Sequence, residues 1–126
     1  MLVRDDRLVC ANVGDSRALL IRKGRGVELT VDHRPVGTSS KGRQEMQRVV
    51  NAGGWSVGGR VCGILAVSRA FGDYEFKGGR FDLLEDLSEE PLAKKATLKE
   101  PPVVPTPDVL EIQREVDNDE WLVSFF

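Results

Sequence analysis

The sequence predicts a β-rich α+β fold of mostly antiparallel strands with one clear helix. Three short apolar runs bounded by turn residues are typical of strands and follow one another closely, at Arg7–Val13, Arg17–Arg22 and Val27–Val31. A single stretch, Lys41–Ala52, has the three-to-four-residue apolar spacing of a helix. Near the end of the chain, Val109–Glu115 alternates apolar and polar residues, as a half-buried strand does.

The three N-terminal runs are close enough in sequence to form a meander, in which neighbouring strands pair antiparallel. Gly14-Asp15 suits a two-residue hairpin turn with glycine first, and Gly24-Arg25-Gly26 provides the next turn. We therefore expect the first strand to pair with the second and the second with the third.

The predicted helix has a start signal, an apolar stripe and a stop signal. Ser39 or Ser40 caps its N-terminus, and Gly53-Gly54 ends it because glycine enters the left-handed region at low cost. Gly42 is expected to weaken the first turn. The expected buried stripe consists of Met46, Val49 and Val50.

After the helix we expect a second hairpin and then a long connection. Trp55–Val57 and Arg60–Val67 form the hairpin around Gly58-Gly59, with Trp55 partly buried in the core. Residues Tyr74–Pro105 are charged and contain several prolines, and so long a connection is typical of a functional loop or a partly disordered segment. Trp121–Phe126 begins a last strand, and its apolar ending indicates a truncated chain.

Composition narrows the class of protein. The chain has 126 residues, enough for one domain or a piece of one, and its net charge of −2 weighs against nucleic-acid binding. No apolar run approaches the roughly 20 residues of a membrane span, and the N-terminus lacks the apolar core of a signal peptide. Cys10 and Cys62 lie in separate apolar runs and are expected to be buried thiols, with a disulfide as the alternative. We expect an intracellular protein, cytoplasmic or nuclear.

Five short motifs occur in a defined order: Asn12-Val-Gly-Asp-Ser-Arg-Ala18, Val31-Asp-His-Arg-Pro35, Asn51-Ala-Gly-Gly54, the run Val61–Asp73, and Pro107-Asp-Val109. In that order and rough spacing, from about Leu8 to Val123, the chain resembles the central part of the metal-dependent serine/threonine protein phosphatases of the PPM, or type 2C, family. The resemblance implies an incomplete PPM-type phosphatase fold over residues 1–126, a partial β-sandwich flanked by helices.

The same resemblance implies hydrolysis of phosphoserine and phosphothreonine in proteins by water activated on two Mg²⁺ or Mn²⁺ ions. The family holds these metals mainly through an N-terminal acidic residue, an Asp-Gly-His-Gly-Gly motif, a later Asp-Gly and a near-C-terminal Asp-Asn, and an N-terminal arginine binds the phosphate. This sequence matches none of them, so no catalytic residue is assigned. Asp117-Asn118 has the letters of the last motif but precedes the last strand, where it predicts a turn. We expect a fragment that is inactive alone and does not bind the metals stably.

Asp32 and His33 are adjacent in one motif. By the resemblance, Asp32 matches the aspartate that helps to hold a third, peripheral metal ion; the alternative is a turn aspartate bonded to nearby backbone. His33 is the only histidine, and no serine–base–acid constellation can be identified around it. We assign it no direct chemical role.

The polar residues of two motifs, Asp15, Arg17, Ser68, Arg69 and Asp73, are predicted to be structural. Arg17 and Arg69 are expected to form buried or half-buried ion pairs with Asp15 or Asp73, because an unpaired charge in such a place is costly. Phosphate binding by Arg69 is the alternative.

Residues 74–105 take the place of the family's variable flap beside the active site, where their acidic and basic halves would select a protein partner. The predicted function is that of a metal-dependent protein phosphatase acting on phosphoproteins, without nucleic-acid or membrane partners. The alternative is a non-catalytic, pseudophosphatase-like module that holds a protein partner through Trp55 and residues 74–105.

Overall fold

The computed structural model describes residues 1–77, 85–87 and 89–125. Within those residues the predicted α+β fold of antiparallel strands with one α-helix is confirmed. The strands are β1 (Leu2–Val3), β2 (Arg7–Asn12), β3 (Arg17–Arg22), β4 (Arg25–Glu28), β5 (Ser56–Val57), β6 (Arg60–Val61), β7 (Asp108–Gln113) and β8 (Asp119–Phe125), and the helix is α1 (Ser40–Asn51). Residues 78–84 and 88 of the predicted flap, and Phe126 of the last predicted strand, lie outside the described residues.

The chain divides into two compact units. The first comprises Met1–Asp32 and Thr106–Phe126, and the second comprises His33–Pro105.

The first unit is a partial β-sandwich of two antiparallel sheets, with strand orders β1-β2-β7 and β4-β3-β8. Alternate residues of β2 and β3 are buried, as expected for strands that cover a core with one face. Their buried side chains meet in a single cluster, so the two sheets face each other. That cluster consists of Leu8, Cys10, Ala18, Leu20 and Leu29.

The prediction that β2 and β3 pair as a hairpin is wrong. β2 pairs with β1 and β7, whereas β3 pairs with β4 and β8. The short connection around Gly14, whose φ is 99°, therefore carries the chain from one sheet to the other. A glycine-containing turn specifies only a local reversal, and burial of both strands against one core decides which strands they pair with.

The hairpin between β3 and β4 is present, but its turn lies one residue earlier than predicted. Lys23 and Gly24 have φ values of 51° and 67°, the double positive φ of a type I′ turn. β4 therefore ends at Glu28, where the sequence predicted a strand over Val27–Val31. Leu29 follows β4 and is buried, which explains why the apolar run was predicted to be a strand.

The ends of α1 confirm the predicted signals. The Ser39 Oγ accepts a hydrogen bond from the Gly42 backbone N–H at 2.9 Å. At the other end, Gly53 has a φ of 89°, and the Gly53 and Gly54 N–H groups donate to the carbonyls of Val50 and Val49. These two bonds form a Schellman motif, so the helix ends where the sequence predicts.

The buried face of α1 differs from the predicted stripe. Its buried residues are Gly42, Glu45 and Val49, whereas Val50 is 48% exposed. A Cβ atom at Gly42 would lie 1.9 Å from the Val36 carbonyl oxygen. The glycine expected to weaken the helix is therefore required by a close backbone approach.

The second hairpin is shorter than predicted. β5 and β6 pair around Gly58-Gly59, but β6 ends at Val61 because Cys62 and Gly63 turn the chain with φ values of 52° and 75°. The prediction of a strand over Arg60–Val67 is therefore wrong. Val61 and Cys62 of that run belong to the core of the second unit, and Leu65 packs against it. The core consists of Val49, Val61, Cys62, Phe76 and Val103.

The C-terminal predictions hold over the described residues. β7 and β8 occupy the predicted strand regions, and residues 116–118, including Asp117-Asn118, form the turn between them. Cys10 and Cys62 are buried and not disulfide-bonded, as expected. None of the helical segments in the described part of the chain combines the length and apolar character needed to span a membrane.

Candidate functional site

Asp32 is positioned by β2 and β3 in the first unit. The Asn12 side-chain amide, in a residue only 7% exposed, donates to the Val31 carbonyl at 3.1 Å. The Ala18 N–H donates to the Oγ1 of Thr30, the residue before Val31, at 3.0 Å. These bonds hold the segment that ends at Asp32 beside the start of β3, so Arg17 can reach it.

Arg17 forms a two-bond ion pair with Asp32. The Arg17 Nε donates to Asp32 Oδ1 at 2.8 Å, and Nη2 donates to Oδ2 at 2.6 Å. Hydrogen bonding and charge from Asp32 raise the pKa of Arg17, and Asp15 adds only a smaller charge effect. The side chains of Arg17 and Asp32 are 63% and 21% exposed. The expected partner, Asp15, and the expected burial of Arg17 were therefore wrong.

A second polar group, the Glu45 cluster, lies in the second unit and consists of Glu45, Arg48, Ser68 and Arg69. Arg69 donates to both carboxylate oxygens of Glu45, with the shortest contact 2.6 Å from Nη2 to Oε1. The Ser68 hydroxyl donates to Glu45 Oε2 at 2.7 Å, and the Arg48 Nε lies 3.4 Å from the same oxygen. Three side chains thus converge on one carboxylate that is 2% exposed.

The Glu45 cluster keeps its central carboxylate charged. Burial raises the pKa of Glu45, but hydrogen bonds from Arg69 and Ser68 and the charges of Arg69 and Arg48 outweigh it and hold the pKa at about 2. Burial lowers the pKa of Arg48, and the charge of Glu45 opposes that effect. The cluster is therefore a set of mutually dependent charges in a largely dry environment.

The Glu45 cluster also connects the two ends of the chain segment formed by residues 70–103. The Arg48 Nη2 donates to the Ser68 carbonyl at 2.6 Å and to the Pro102 carbonyl at 3.1 Å. Next to these contacts, the Val104 N–H donates to the Ser68 carbonyl and the Ala70 N–H donates to the Val104 carbonyl. The chain therefore leaves and returns at one place, which α1 holds through Arg48.

His33 is fully buried, and its backbone contributes to the same region. The His33 carbonyl accepts from the Ser68 N–H at 2.8 Å, and the Ser68 Oγ lies 3.0 Å from it. Asp73 has a φ of 55°, and its carbonyl accepts from Phe76 to begin the short 3₁₀ turn Tyr74–Phe76. Arg69 forms a largely buried ion pair, as predicted, but its partner is Glu45 rather than Asp73, and Ser68 bonds the same carboxylate.

Glu45 is the residue that sequence reasoning missed. A glutamate in a helix is usually assigned to the exposed face, and the apolar residues of α1 did not suggest otherwise. The available signal was its position four residues before Val49, on the same helical face, and three before Arg48. Asn12 was also missed, although it begins the first of the five motifs.

Comparison with known proteins identifies the family. A family model described as protein phosphatase 2C matches residues 1–123. The chain belongs to the protein phosphatase 2C family. It is 44% identical over 117 residues to protein phosphatase 2C 57 of Arabidopsis thaliana and 38% identical over 122 residues to protein phosphatase ppm-1.G of Caenorhabditis elegans. The resemblance described from the motifs is thereby confirmed.

Solved structures agree with the protein phosphatase 2C assignment. A crystal structure of a phosphatase from Toxoplasma gondii matches 85% of this chain with a TM-score of 0.60 and 32% identity. The matches to the Arabidopsis and Caenorhabditis relatives include 89% and 97% of this chain, but only 30% and 21% of the length of those relatives. It covers 28% of the solved Toxoplasma chain.

The described residues do not by themselves fit the two-metal centre that the protein phosphatase 2C resemblance implies. Such a centre needs several carboxylates directed at the same ions. In the described ranges, no group of three or more histidine, cysteine, aspartate or glutamate residues is placed to hold a metal ion. Both carboxylate oxygens of Asp32 accept hydrogen bonds from Arg17, so a metal there would have to share or displace that guanidinium. Metal binding by Asp32 stays a prediction.

Proposed function

We propose that residues 1–126 form part of a protein phosphatase that removes phosphate from phosphoserine and phosphothreonine in proteins, with Mg²⁺ or Mn²⁺ as cofactor. The observation that carries this proposal is the match of the protein phosphatase 2C family model to residues 1–123. Two relatives aligned over most of the chain bear the name protein phosphatase, which supports the same assignment.

Within that activity, we propose a structural role for these residues and no turnover by residues 1–126 alone. The Glu45 cluster holds the base of the predicted flap, residues 74–105, and the Arg17–Asp32 pair fixes the motif that contains the peripheral ligand position. The Asp-Gly-His-Gly-Gly motif implied by the resemblance does not occur in the sequence. No step of the reaction is therefore assigned to a residue of this chain.

The proposal has three further parts. Asp32 is proposed as a peripheral metal ligand on the resemblance alone. Residues 74–105 are proposed as a partner-selecting flap on the resemblance, and Arg48 bonds the carbonyl of Ser68, before this segment, and that of Pro102, near its end. An intracellular location, cytoplasmic or nuclear, is proposed because the two buried cysteines are free thiols, as in a reducing compartment.

A chimaera tests the proposal. Residues 1–123 would replace the matching segment of the Arabidopsis relative, and Mn²⁺-dependent hydrolysis of a phosphothreonine peptide would be measured. We expect the chimaera to turn over substrate, and Glu45→Gln to reduce that turnover while the matched Glu100→Gln variant does not. A folded chimaera, shown by circular dichroism, that lacks activity under every Mn²⁺ concentration would contradict the phosphatase assignment.

The non-catalytic alternative is supported by one structural observation. Trp55 and residues 92 and 95–97, which belong to the two parts that the alternative would use, line one cleft of the second unit. A folded, inactive chimaera together with specific peptide binding at that cleft would favour this alternative.

A further inference from the structure

A solvent-open cleft of about 280 Å³ lies at the C-terminal end of α1 in the second unit. One wall contains Val50, Gly53 and Trp55, and the other contains Leu92, Lys95 and Thr97. We call it the Trp55 cleft.

The walls of the Trp55 cleft are held together by close backbone contacts. A Cβ atom at Gly53 would lie 1.8 Å from the Thr97 carbonyl oxygen, so the helix end and the second wall touch directly. The Lys99 and Glu100 N–H groups both donate to the Ala52 carbonyl, at 2.8 and 3.3 Å. The two walls of the cleft are therefore fixed to each other through main-chain contacts.

The Trp55 cleft presents large apolar side chains to solvent. Val50 is 48% exposed and Leu92 is 45% exposed, and both line the cleft together with the half-buried Trp55. Trp55 packs on the core of the second unit, which makes it a rigid wall of the kind that dominates binding at protein interfaces. The volume is below the roughly 300–1,000 Å³ typical of pockets for drug-sized ligands, so it suits one large side chain.

The charges around the Trp55 cleft indicate the sign of the ligand. Lys95 lines the cleft, and Lys94 and Lys99 are exposed on the same segment. Of these three lysines, Lys95 is the one that lines the cleft. A cation beside an apolar site favours a ligand that carries acidic residues next to its apolar group.

We infer that the Trp55 cleft binds a short segment of a partner protein in which one large apolar side chain is flanked by aspartate or glutamate. The apolar side chain enters between Trp55 and Leu92, and an acidic neighbour pairs with Lys95. The inference does not depend on phosphate hydrolysis, so it and the proposed phosphatase activity fail independently.

Fluorescence anisotropy of labelled 12-residue peptides tests the inference on the 126-residue chain. The first peptide has a central leucine flanked by two glutamates on each side, the second has alanine in place of leucine, and the third has lysines in place of the glutamates. We expect the first to bind at least tenfold more tightly than the other two. Equal binding of the acidic and basic peptides, or no binding of any, would overturn the inference.

Surface variants assign the binding to the cleft. Lys95→Glu should weaken binding of the acidic peptide at least tenfold and improve binding of the basic one, and Leu92→Ala should weaken binding of the leucine peptide. Both residues are exposed, so neither change threatens folding. Lys23→Glu, an exposed lysine of the first unit, is the matched control and should change nothing. Self-association of the chain that Leu92→Ala abolishes would instead show that a second copy occupies the cleft, against the inference.

Discussion

Replacing Glu45 by glutamine removes the central charge of the Glu45 cluster while keeping the size of the side chain. Arg69, whose side chain is 12% exposed, and Arg48, at 28%, would then lack their buried counter-charge. Removing one partner of a buried pair typically costs about 3–5 kcal/mol of stability. Glutamine still offers one acceptor oxygen, so we expect a loss near the lower end, about 3 kcal/mol at pH 7.

The pKa of Glu45 gives an independent magnitude for the same loss. It falls from its ordinary value of 4.5 to about 2 in the folded protein, which corresponds to about 3 kcal/mol of stabilisation at pH 7. Because the folded pKa is the lower one, this stabilisation is complete above pH 4.5 and is lost as the pH falls towards 2. At pH 3 about 1.4 kcal/mol remains. Glutamine does not titrate, so the difference between wild type and Glu45→Gln must shrink on acidification.

Urea unfolding at pH 7 and pH 3 measures this difference. The chain has two tryptophans, so a Trp121→Phe background leaves Trp55 as a fluorescence reporter within the second unit. Glu100→Gln, at an exposed glutamate of the same unit, is the matched control and should be neutral at both pH values. A loss below about 0.5 kcal/mol for Glu45→Gln, within the range of ordinary surface changes, would refute the account of the cluster. So would a loss that stays the same at pH 3.

Three further predictions concern the helix and the thiols. Gly42→Ala should lower the melting temperature, although helix propensity alone favours alanine by about 1 kcal/mol, because the new Cβ would lie 1.9 Å from the Val36 carbonyl oxygen; a higher melting temperature would show that the approach is not tight. Ser39→Ala should cost about 1 kcal/mol in urea unfolding through loss of the N-cap, and Ser39→Asp should restore it. Cys10 and Cys62 are 4% and 2% exposed, and burial raises the pKa of Cys62, so both should resist a thiol reagent until urea unfolds the chain; rapid labelling of Cys62 in the native protein would contradict its burial.

Local signals in the sequence predicted local structure well. The Ser39 cap and the Gly53-Gly54 stop place the ends of α1 correctly because both act through backbone groups within one helical turn. The β3–β4 hairpin was predicted for the same reason, with errors in the position of its turn and in the bounds of β4.

Strand pairing was predicted less well because it depends on distant residues. The turn at Gly14 reverses the chain, but β2 gains its partner from β7, about a hundred residues later, and β3 gains one from β8. A strand with an apolar inner face pairs wherever that face is best covered, and a short turn does not report this. The partner of Arg69 was missed for a similar reason: Glu45 is local to the helix, and only the tertiary fold brings it to Ser68 and Arg69.

The most direct test of the central claim is phosphatase activity of the purified 126-residue chain on a phosphothreonine peptide, with and without millimolar Mn²⁺. The claim is that these residues form a scaffold of the protein phosphatase 2C family and do not assemble its metal centre alone. It predicts no Mn²⁺-dependent turnover. Mn²⁺-dependent turnover that Asp32→Ala abolishes would contradict the claim. It would mean that residues with a proposed structural role build a working metal site.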